Sequence, residues 1–324
     1  MKSGLQATAA LPARVVVVAG ATASGKTALA VALARGLDGE VVGADSRQVF
    51  RYLDIGTAKP SSELRADIPH HMIDVVDPDA HYDTALWRSG ALSVLAGIQA
   101  RGKVAVVCGG TGLYLRSLLR GLFAGPAADQ KLRDGLAVEE KLDPGCLHRR
   151  LKNLDPRAAD RIHANDLVRT VRALEVLKLS GKPLSLWQRR HAGAEAPFEA
   201  LLFETEVDRD ELYRRIDSRA AAMVEEGLLG ELAALRERGY GPGAKAFMAI
   251  GYREAGACLD GDLDEANLGP EIARATRRYA KRQLTWLRNQ GLDCERVKVG
   301  PGQEDKALVR ARAFLDGSRG RGLE

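Results

Sequence analysis

The sequence predicts an α/β protein in which a parallel sheet is flanked by helices and carries an all-helical insertion domain. Three observations support this prediction. Short runs rich in β-branched residues alternate with amphipathic helical patterns, as expected for parallel strands joined by crossover helices. The first run ends in a glycine-rich turn that leads directly into a helix. The charged segment 126–197 has helical patterns and no strand pattern.

Five segments are predicted as strands. They are RVVVVAG (14–20), EVVGAD (40–45), MIDVVD (72–77), KVAVVCGG (103–110) and ALLFETEV (200–207). The core is therefore assigned to 14–125 and 198–300, with 1–13 expected as a disordered tail and 301–324 as a polar tail. Ligands of parallel α/β sheets bind at the carboxyl ends of the strands. Gly20, Asp45 and the turn Gly109–Gly112 are expected along that edge.

Composition excludes several classes of protein. Among 324 residues, 48 Lys and Arg face 43 Asp and Glu, an excess too small to indicate a polyanionic partner by itself. The four cysteines are far apart and form no C-x-x-C pair, so neither structural zinc nor a disulfide framework is expected. No apolar run approaches the roughly 18 residues of a membrane span. These features predict a cytoplasmic protein that does not bind membranes.

The stretch GATASGKT fits the phosphate-binding pattern G-x-x-x-x-G-K-[ST] and lies between a predicted strand and a predicted helix. It makes the predicted fold P-loop NTPase-like. Loop amides and the helix N-terminus bind phosphate oxygens, the lysine reaches the terminal phosphates, and the last hydroxyl can ligate Mg²⁺. The pattern indicates a diphosphate or a triphosphate without distinguishing them. The candidate phosphate ligands are Gly20, Ala21, Thr22, Ala23, Ser24, Gly25, Lys26 and Thr27, with Thr27 as the candidate metal ligand.

Nucleotide hydrolases of this type usually carry an acidic residue at the end of an apolar strand, where it helps to hold Mg²⁺. The strand VAVVC instead runs into Gly109–Gly112, which disfavours ATP hydrolysis. This turn offers backbone donors and the Thr111 hydroxyl to a second phosphate. A plain tight turn is the alternative, and the spacing alone does not decide between them.

Asp45 ends the second predicted strand and is expected beside the phosphate loop. A carboxylate there repels phosphates, so a general base that accepts a proton from an incoming nucleophile is one natural role. Asp45 followed by Gln48 is also a capping-box pattern, in which the aspartate starts a helix. Both roles remain open at this point.

The segment EIARATRRYAKRQLTWLRNQ is a strongly basic helix with one acid, Glu271. Helical projection places four cations on one side and four apolar residues on another. Tyr279 and Trp286 are interleaved, which suits binding to a nucleic-acid backbone, and a solvated charged face is the alternative. The cationic side comprises Arg274, Arg278, Lys281 and Arg288, and the apolar side Ala273, Ala280, Leu284 and Leu287.

Six motifs in order carry a family resemblance: GATASGKT, DSRQVFRYLDIGTAKP, PHHMIDVVDP, GGTGLYLRSLLRGL, AIGYREA and AKRQLTWLRNQ. The chain resembles the bacterial tRNA dimethylallyltransferase family, also called tRNA isopentenyltransferases, from about Val15 to Gln290. Ala21 and Phe50 depart from the family's common Pro and Tyr. The resemblance implies transfer of the dimethylallyl group of dimethylallyl diphosphate to an exocyclic amine. The acceptor is the adenine immediately 3′ of the anticodon, in tRNAs that read codons beginning with U, and pyrophosphate is released.

The resemblance also implies roles for residues of this chain. Asp45 would take the proton of the amine, Thr111 would bind near the diphosphate, Arg215 would clamp the leaving pyrophosphate, and Mg²⁺ would lie near Thr27. The protein would act as a monomer on the anticodon stem-loop. The implied tRNA contacts are Asp45, Ser46, Arg47, Gln48, Arg133, Val168, Arg169, Thr170, Val171, Arg172, Met248, Ala249, Ile250, Gly251, Tyr252, Arg253, Lys281, Arg282, Gln283, Leu284, Thr285, Trp286, Leu287 and Arg288.

Three other functions are weighed against this one. An adenylate isopentenyltransferase would share the loop and Asp45 but would have little use for the insertion and the basic helix. A small-molecule or nucleotide kinase would need a nucleotide pocket and an arginine-rich lid, which the sequence does not suggest. A non-catalytic RNA-binding protein would leave the phosphate loop and Asp45 without a purpose.

Overall fold

Six parallel strands form the central sheet, in the spatial order β3-β2-β4-β1-β5-β6. The computed structural model describes residues 10–123, 125–191, 197–290, 292–300 and 302–317. The parallel α/β sheet predicted from the sequence is confirmed. The strands are β1 Arg14–Ala19, β2 Gly39–Gly43, β3 His70–His71, β4 Val104–Gly109, β5 Glu199–Glu206 and β6 Glu295–Lys298.

Helices pack on both faces of this sheet or form a separate unit. Two short 3₁₀ helices, Lys245–Met248 and Glu265–Asn267, accompany them. The α-helices are α1 Lys26–Gly36, α2 Ser62–Asp67, α3 Thr84–Ala100, α4 Gly112–Arg120, α5 Gln130–Leu142, α6 Cys146–Leu154, α7 Pro156–Ala159, α8 Leu167–Ser180, α9 Leu184–His191, α10 Arg209–Glu225, α11 Leu228–Glu237, α12 Tyr252–Leu259, α13 Leu268–Asn289 and α14 Gln303–Leu315.

The valines of β1 show how the sequence builds the core. Val15 and Val17 face one hydrophobic cluster and Val16 and Val18 face the other, and all four are fully buried. Side chains alternate between the two faces of a strand, and a strand covered on both faces is apolar throughout. Within the described residues, no helix combines the length and the apolar composition that crossing a membrane requires.

Contacts divide the chain into two compact units, one of 1–119 with 197–324 and one of 120–196. The predicted insertion was placed at 126–197. The second unit contains α5 to α9 and has its own hydrophobic core, which includes Leu147, Leu151 and Leu174. Because this core is internal to the unit, its helices do not depend on the sheet for burial.

The third strand differs from the prediction at 72–77. It is His70–His71, and Val76 takes part only in an isolated bridge with Phe50. Met72 and Asp74 have positive φ angles of 61° and 55°, so the backbone turns where the β-branched run predicted a strand.

Two C-terminal elements were not predicted. Strand β6 is short and charged and buries only Val297, so it has no apolar run to identify it. The predicted polar tail 301–324 contains α14, in which Ala307 and Ala311 are buried against the cluster that includes α1. This narrow alanine stripe is a weak hydrophobic signal. The parts of the predicted tails at 1–9 and 318–324 lie outside the described residues.

Candidate active site

The phosphate loop connects the end of β1 to the first turn of α1. Gly25 precedes the helix in a left-handed conformation with φ 87°, which glycine adopts readily. Ser24 is buried, and its hydroxyl donates to the Ala21 carbonyl at 2.8 Å and contacts the Thr205 hydroxyl at 2.6 Å. The contact with Thr205 therefore fixes the loop to β5. The N-terminus of α1 is directed toward any anion that the loop binds.

Two cations line the recess at this loop. The Lys26 ammonium donates to the Ala21 carbonyl at 3.3 Å, and burial lowers the pKa of Lys26. Arg219, on α10, donates to the Thr22 hydroxyl at 3.3 Å and retains solvent exposure. Together they provide positive charge from two directions where a phosphate ligand would carry its negative charge.

Asp45 lines the same recess. Its Oδ1 accepts from the backbone amides of Arg47, at 2.8 Å, and Gln48, at 3.4 Å. The segment after Asp45 is a turn, and no α-helix starts there. In the part of the chain that the structure describes, Oδ2 accepts no hydrogen bond. One carboxylate oxygen thus fixes the turn and the other is available to accept a proton, so the two roles are compatible.

The turn after β4 is explained by close packing. A Cβ at Gly110 would overlap the Gln283 side chain, and one at Gly112 would overlap the Trp286 ring. The Thr111 hydroxyl accepts from the Ser46 amide at 3.0 Å. Thr111 therefore holds the segment next to Asp45, and its hydroxyl contact is with that segment, whereas the resemblance implied a contact near the diphosphate.

Helix α13 presents three side chains to this turn. Gln283 accepts from the Thr22 amide at 2.8 Å and donates to the Gly110 carbonyl at 2.9 Å. Tyr279 interacts with Thr111, and burial raises its pKa to about 12. Residues four and three positions apart share one helix face, so Tyr279, Gln283 and Trp286 form one inner face of α13.

Arg215 does not line the recess. Its Nε donates to Glu211 at 2.6 Å, one turn earlier on α10. The arginine that lines the recess is Arg219, one turn later on the same helix. The four-residue spacing of the two arginines on one helix is a sequence signal that makes both of them candidates. The packing of α10 against the loop decides which of the two reaches it.

Comparison with known proteins shows the family of this chain. Residues 48–290 match the family model described as IPP transferase. The chain belongs to the IPP transferase family. It is 49% identical over 278 residues to the tRNA dimethylallyltransferase of Geobacter sulfurreducens, covering 85% of this chain and 89% of that protein.

Solved IPP transferase structures have the same fold. The tRNA isopentenylpyrophosphate transferase of Bacillus halodurans superposes with a TM-score of 0.68 at 36% identity, covering 94% of this chain and 96% of that one. A eukaryotic dimethylallyltransferase acting on tRNA superposes with a TM-score of 0.81 at 26% identity, covering 95% and 80% of the two chains.

In this member of the IPP transferase family, the motif AIGYREA has mainly a structural part. Tyr252 is fully buried, and its hydroxyl donates to Glu231 and accepts from the Gly56 amide at 3.1 Å. Ala249 is buried as well, whereas Met248 is 59% exposed. Among the tRNA contacts predicted at 248–253, Tyr252 braces the loop at Gly56, whereas Met248 and Arg253 are exposed.

In the helical unit of this IPP transferase, some of the predicted tRNA contacts are likewise buried or paired, and others are exposed. Glu175 is fully buried and pairs with both Arg133 and Arg172, so these two arginines stabilise the unit. Thr170 is buried, while Val168 is 82% exposed and Arg169 is exposed beside it. Val168 and Arg169 are the exposed members of this set, and Arg169 also pairs with Asp166 at 3.2 Å.

The outer face of α13 is cationic, as the helical projection predicts. Arg278, Lys281, Arg282 and Arg288 are exposed. Among the described residues, no carboxylate lies within ion-pair distance of Arg278, Lys281 or Arg288, whereas Arg274 pairs with Glu271. Gln283 and Leu287 are buried, so their predicted contact with tRNA is not supported by their position.

Thr27 is exposed at the first turn of α1 and lines the recess. Within the described residues, no group of three or more His, Cys, Asp or Glu side chains could hold a metal. The single hydroxyl of Thr27 fits Mg²⁺, which commonly takes only one or two protein ligands and completes its shell with phosphate oxygens and water.

Proposed function

We propose that this protein transfers the dimethylallyl group of dimethylallyl diphosphate to the exocyclic amine of the adenine 3′ of the anticodon in tRNA. The observation that carries the proposal is the position of Asp45. It lines the same recess as Lys26 and the phosphate loop, and one of its carboxylate oxygens accepts no hydrogen bond from the described residues. A kinase also uses a carboxylate as a base, and the assay without ATP described below distinguishes kinase activity from prenyl transfer.

The donor half of the site stabilises a leaving group. As the bond between the allylic carbon and the diphosphate lengthens, positive charge spreads over the allyl group and negative charge grows on the diphosphate. Lys26, Arg219 and the amides at the start of α1 are arranged to bind that growing charge. Mg²⁺ held by Thr27 and the diphosphate would add further neutralisation of the same oxygens.

The acceptor half removes a proton. The exocyclic nitrogen of adenine forms the new C–N bond to the allylic carbon while the C–O bond to diphosphate breaks. The nitrogen then carries an extra proton, which Oδ2 of Asp45 accepts. Thr111 keeps this carboxylate in place indirectly, because its hydroxyl holds the Ser46 amide.

The RNA-binding part of the proposal rests on exposed cations. Arg278, Lys281 and Arg288 of α13 have no carboxylate partner among the described residues and would pair with phosphates of the anticodon stem-loop. Exposed Val168 and Arg169 of the helical unit offer a second contact. Because the adenine amine is stacked in the loop, the base must leave the stack to reach Asp45.

We also propose that the protein acts as a monomer in the cytoplasm. A single copy of the chain contains both the phosphate loop and Asp45 in this recess, so the proposed chemistry does not require a second copy. All four cysteines are free thiols, which suits a reducing compartment.

One assay separates the proposal from its alternatives. The protein is incubated with radiolabelled dimethylallyl diphosphate, Mg²⁺ and an anticodon stem-loop containing three consecutive adenines, without ATP. AMP and ADP are offered in parallel. Label in the stem-loop is expected. Label in the free nucleotides alone would identify an adenylate isopentenyltransferase, and no transfer to any acceptor would refute prenyl transfer.

A further inference from the structure

Gln283 occupies an unusual position for a polar residue of a basic helix. Only 7% of it is exposed, and both ends of its amide are used. Oε1 accepts from the Thr22 amide of the phosphate loop, and Nε2 donates to the Gly110 carbonyl after β4. Its neighbours Lys281 and Arg282 point to solvent, so Gln283 faces inward from a helix whose outer side is cationic.

This amide connects the two halves of the site. Thr22 belongs to the loop that would hold the diphosphate, and its hydroxyl receives the Arg219 hydrogen bond. Gly110 precedes Thr111, whose amide and hydroxyl bind the backbone on both sides of Asp45 at Ala44 and Ser46. One side chain therefore sets the separation between the donor loop and the segment that carries the base.

Glutamine is suited to this task by its donor and acceptor set. A neutral amide can accept from an N–H and donate to a C=O at the same time. An ionised glutamate could accept from Thr22 but could not donate to Gly110, and it would bring negative charge to an anion site. A lysine or an arginine could not accept at all.

We propose that Gln283 is a positioning residue for the transfer reaction: it fixes the phosphate loop against the segment that carries Asp45. This inference rests on the proposed function and assigns to Gln283 a role different from the tRNA contact that the resemblance implies. Tyr279 at Thr111 and Trp286 at Gly112 flank it on the same helix face. The inner face of α13 thus organises the site, and the outer face is left for RNA.

The test uses two substitutions and a matched control. Gln283→Met keeps the length of the side chain and removes both hydrogen bonds. Gln283→Glu keeps the shape, and its protonated form restores one donor and one acceptor. Gln99→Met is the control, because Gln99 is exposed at the end of α3, at the edge of the sheet away from the loop. Inorganic pyrophosphate binding, the donor KM, stem-loop affinity and the melting temperature are measured for each protein.

Gln283→Met is expected to weaken pyrophosphate binding and raise the donor KM by about tenfold, which corresponds to the loss of about one buried hydrogen bond. Stem-loop affinity should stay within about twofold, and Gln99→Met should match the unchanged protein. Gln283→Glu should bind pyrophosphate poorly at neutral pH and recover relative to Gln283→Met as the pH is lowered, because its carboxyl group becomes neutral.

Recovery of pyrophosphate binding at low pH, measured well below the melting temperature of each variant, is the decisive signal, because a purely structural role would change the melting temperature and leave the pyrophosphate affinity of the folded protein unchanged. Unchanged pyrophosphate affinity in Gln283→Met, or a loss confined to stem-loop binding, would overturn the inference. Failure of the unchanged protein to label RNA would instead refute the proposed function. The pyrophosphate measurement would still decide the role of Gln283.

Discussion

Arg219 and Arg215 are one helical turn apart on α10, and the structure predicts very different effects when each is removed. Arg219 lines the recess and contacts Thr22, whereas Arg215 pairs with Glu211. We expect Arg219→Ala to reduce kcat by about 100-fold, the lower end of what one preorganised donor to a developing negative charge contributes. The lower end applies because Arg219 is partly open to water, which weakens electrostatic interactions.

Arg215→Ala should reduce kcat by only about twofold, because Arg215 does not line the recess. Its ion pair with Glu211 lies near the surface, where such pairs contribute only about 0–1 kcal/mol to stability. Arg219→Lys serves as a further comparison, because it keeps the charge and loses the planar fork of the guanidinium. The assay is single-turnover transfer of label at saturating donor and stem-loop. A larger loss of activity in Arg215→Ala than in Arg219→Ala would refute the assignment of the clamp to Arg219.

Three other predictions concern the base, the RNA surface and the helical unit. Asp45→Asn should abolish turnover, by at least about 100-fold, while stem-loop affinity in a filter-binding assay stays nearly unchanged; a large loss of affinity would indicate that Asp45 mainly supports the turn. Lys281→Ala should weaken stem-loop binding and reduce the slope of log K against log salt by about 0.7–0.9, and an unchanged slope would contradict the RNA-binding role of the outer face of α13. Burial opposes the ionisation of Glu175, but hydrogen bonds from Arg133 and Arg172 outweigh it and lower its pKa to about 2. Because the folded pKa lies below the unfolded one, the stabilisation is complete above about pH 4.5 and is lost as the pH falls toward 2. Glu175→Gln should therefore destabilise the unit by about 3 kcal/mol near neutral pH, as measured by urea unfolding, and the difference should shrink in acid.

The parts of the fold that could be predicted are those with a strong local pattern. The valines of β1 and the phosphate loop after it could be recognised from the sequence. A strand covered by helices on both faces of the sheet is apolar throughout, and the loop has a fixed glycine spacing. The sequence predicts the third strand at 72–77, whereas β3 is His70–His71. The positive φ angles at Met72 and Asp74 depend on tertiary contacts and not on β propensity. Strand β6 has too few buried residues to produce a pattern.

The site shows the same limit at the level of side chains. Sequence reasoning predicted Asp45 at the end of a strand and Lys26 in the phosphate-loop motif, and both line the recess. The family resemblance implied Arg215 as the pyrophosphate clamp, whereas Arg219 is the arginine of α10 that lines the recess, because the register of α10 against the loop is set by packing. The resemblance also implied that Gln283 contacts tRNA, and only the packed structure shows that this side chain is buried.

We propose that Asp45 and the phosphate loop carry out one coupled reaction, which a stoichiometric product analysis can verify. Pyrophosphate release and label incorporation are measured together in a single turnover with the stem-loop, and nuclease digestion locates the labelled nucleoside. We predict one pyrophosphate released per labelled adenine, with all label on the adenine 3′ of the anticodon and neither product formed by Asp45→Asn. Equal incorporation by Asp45→Asn, or pyrophosphate release without label in the RNA, would contradict the account.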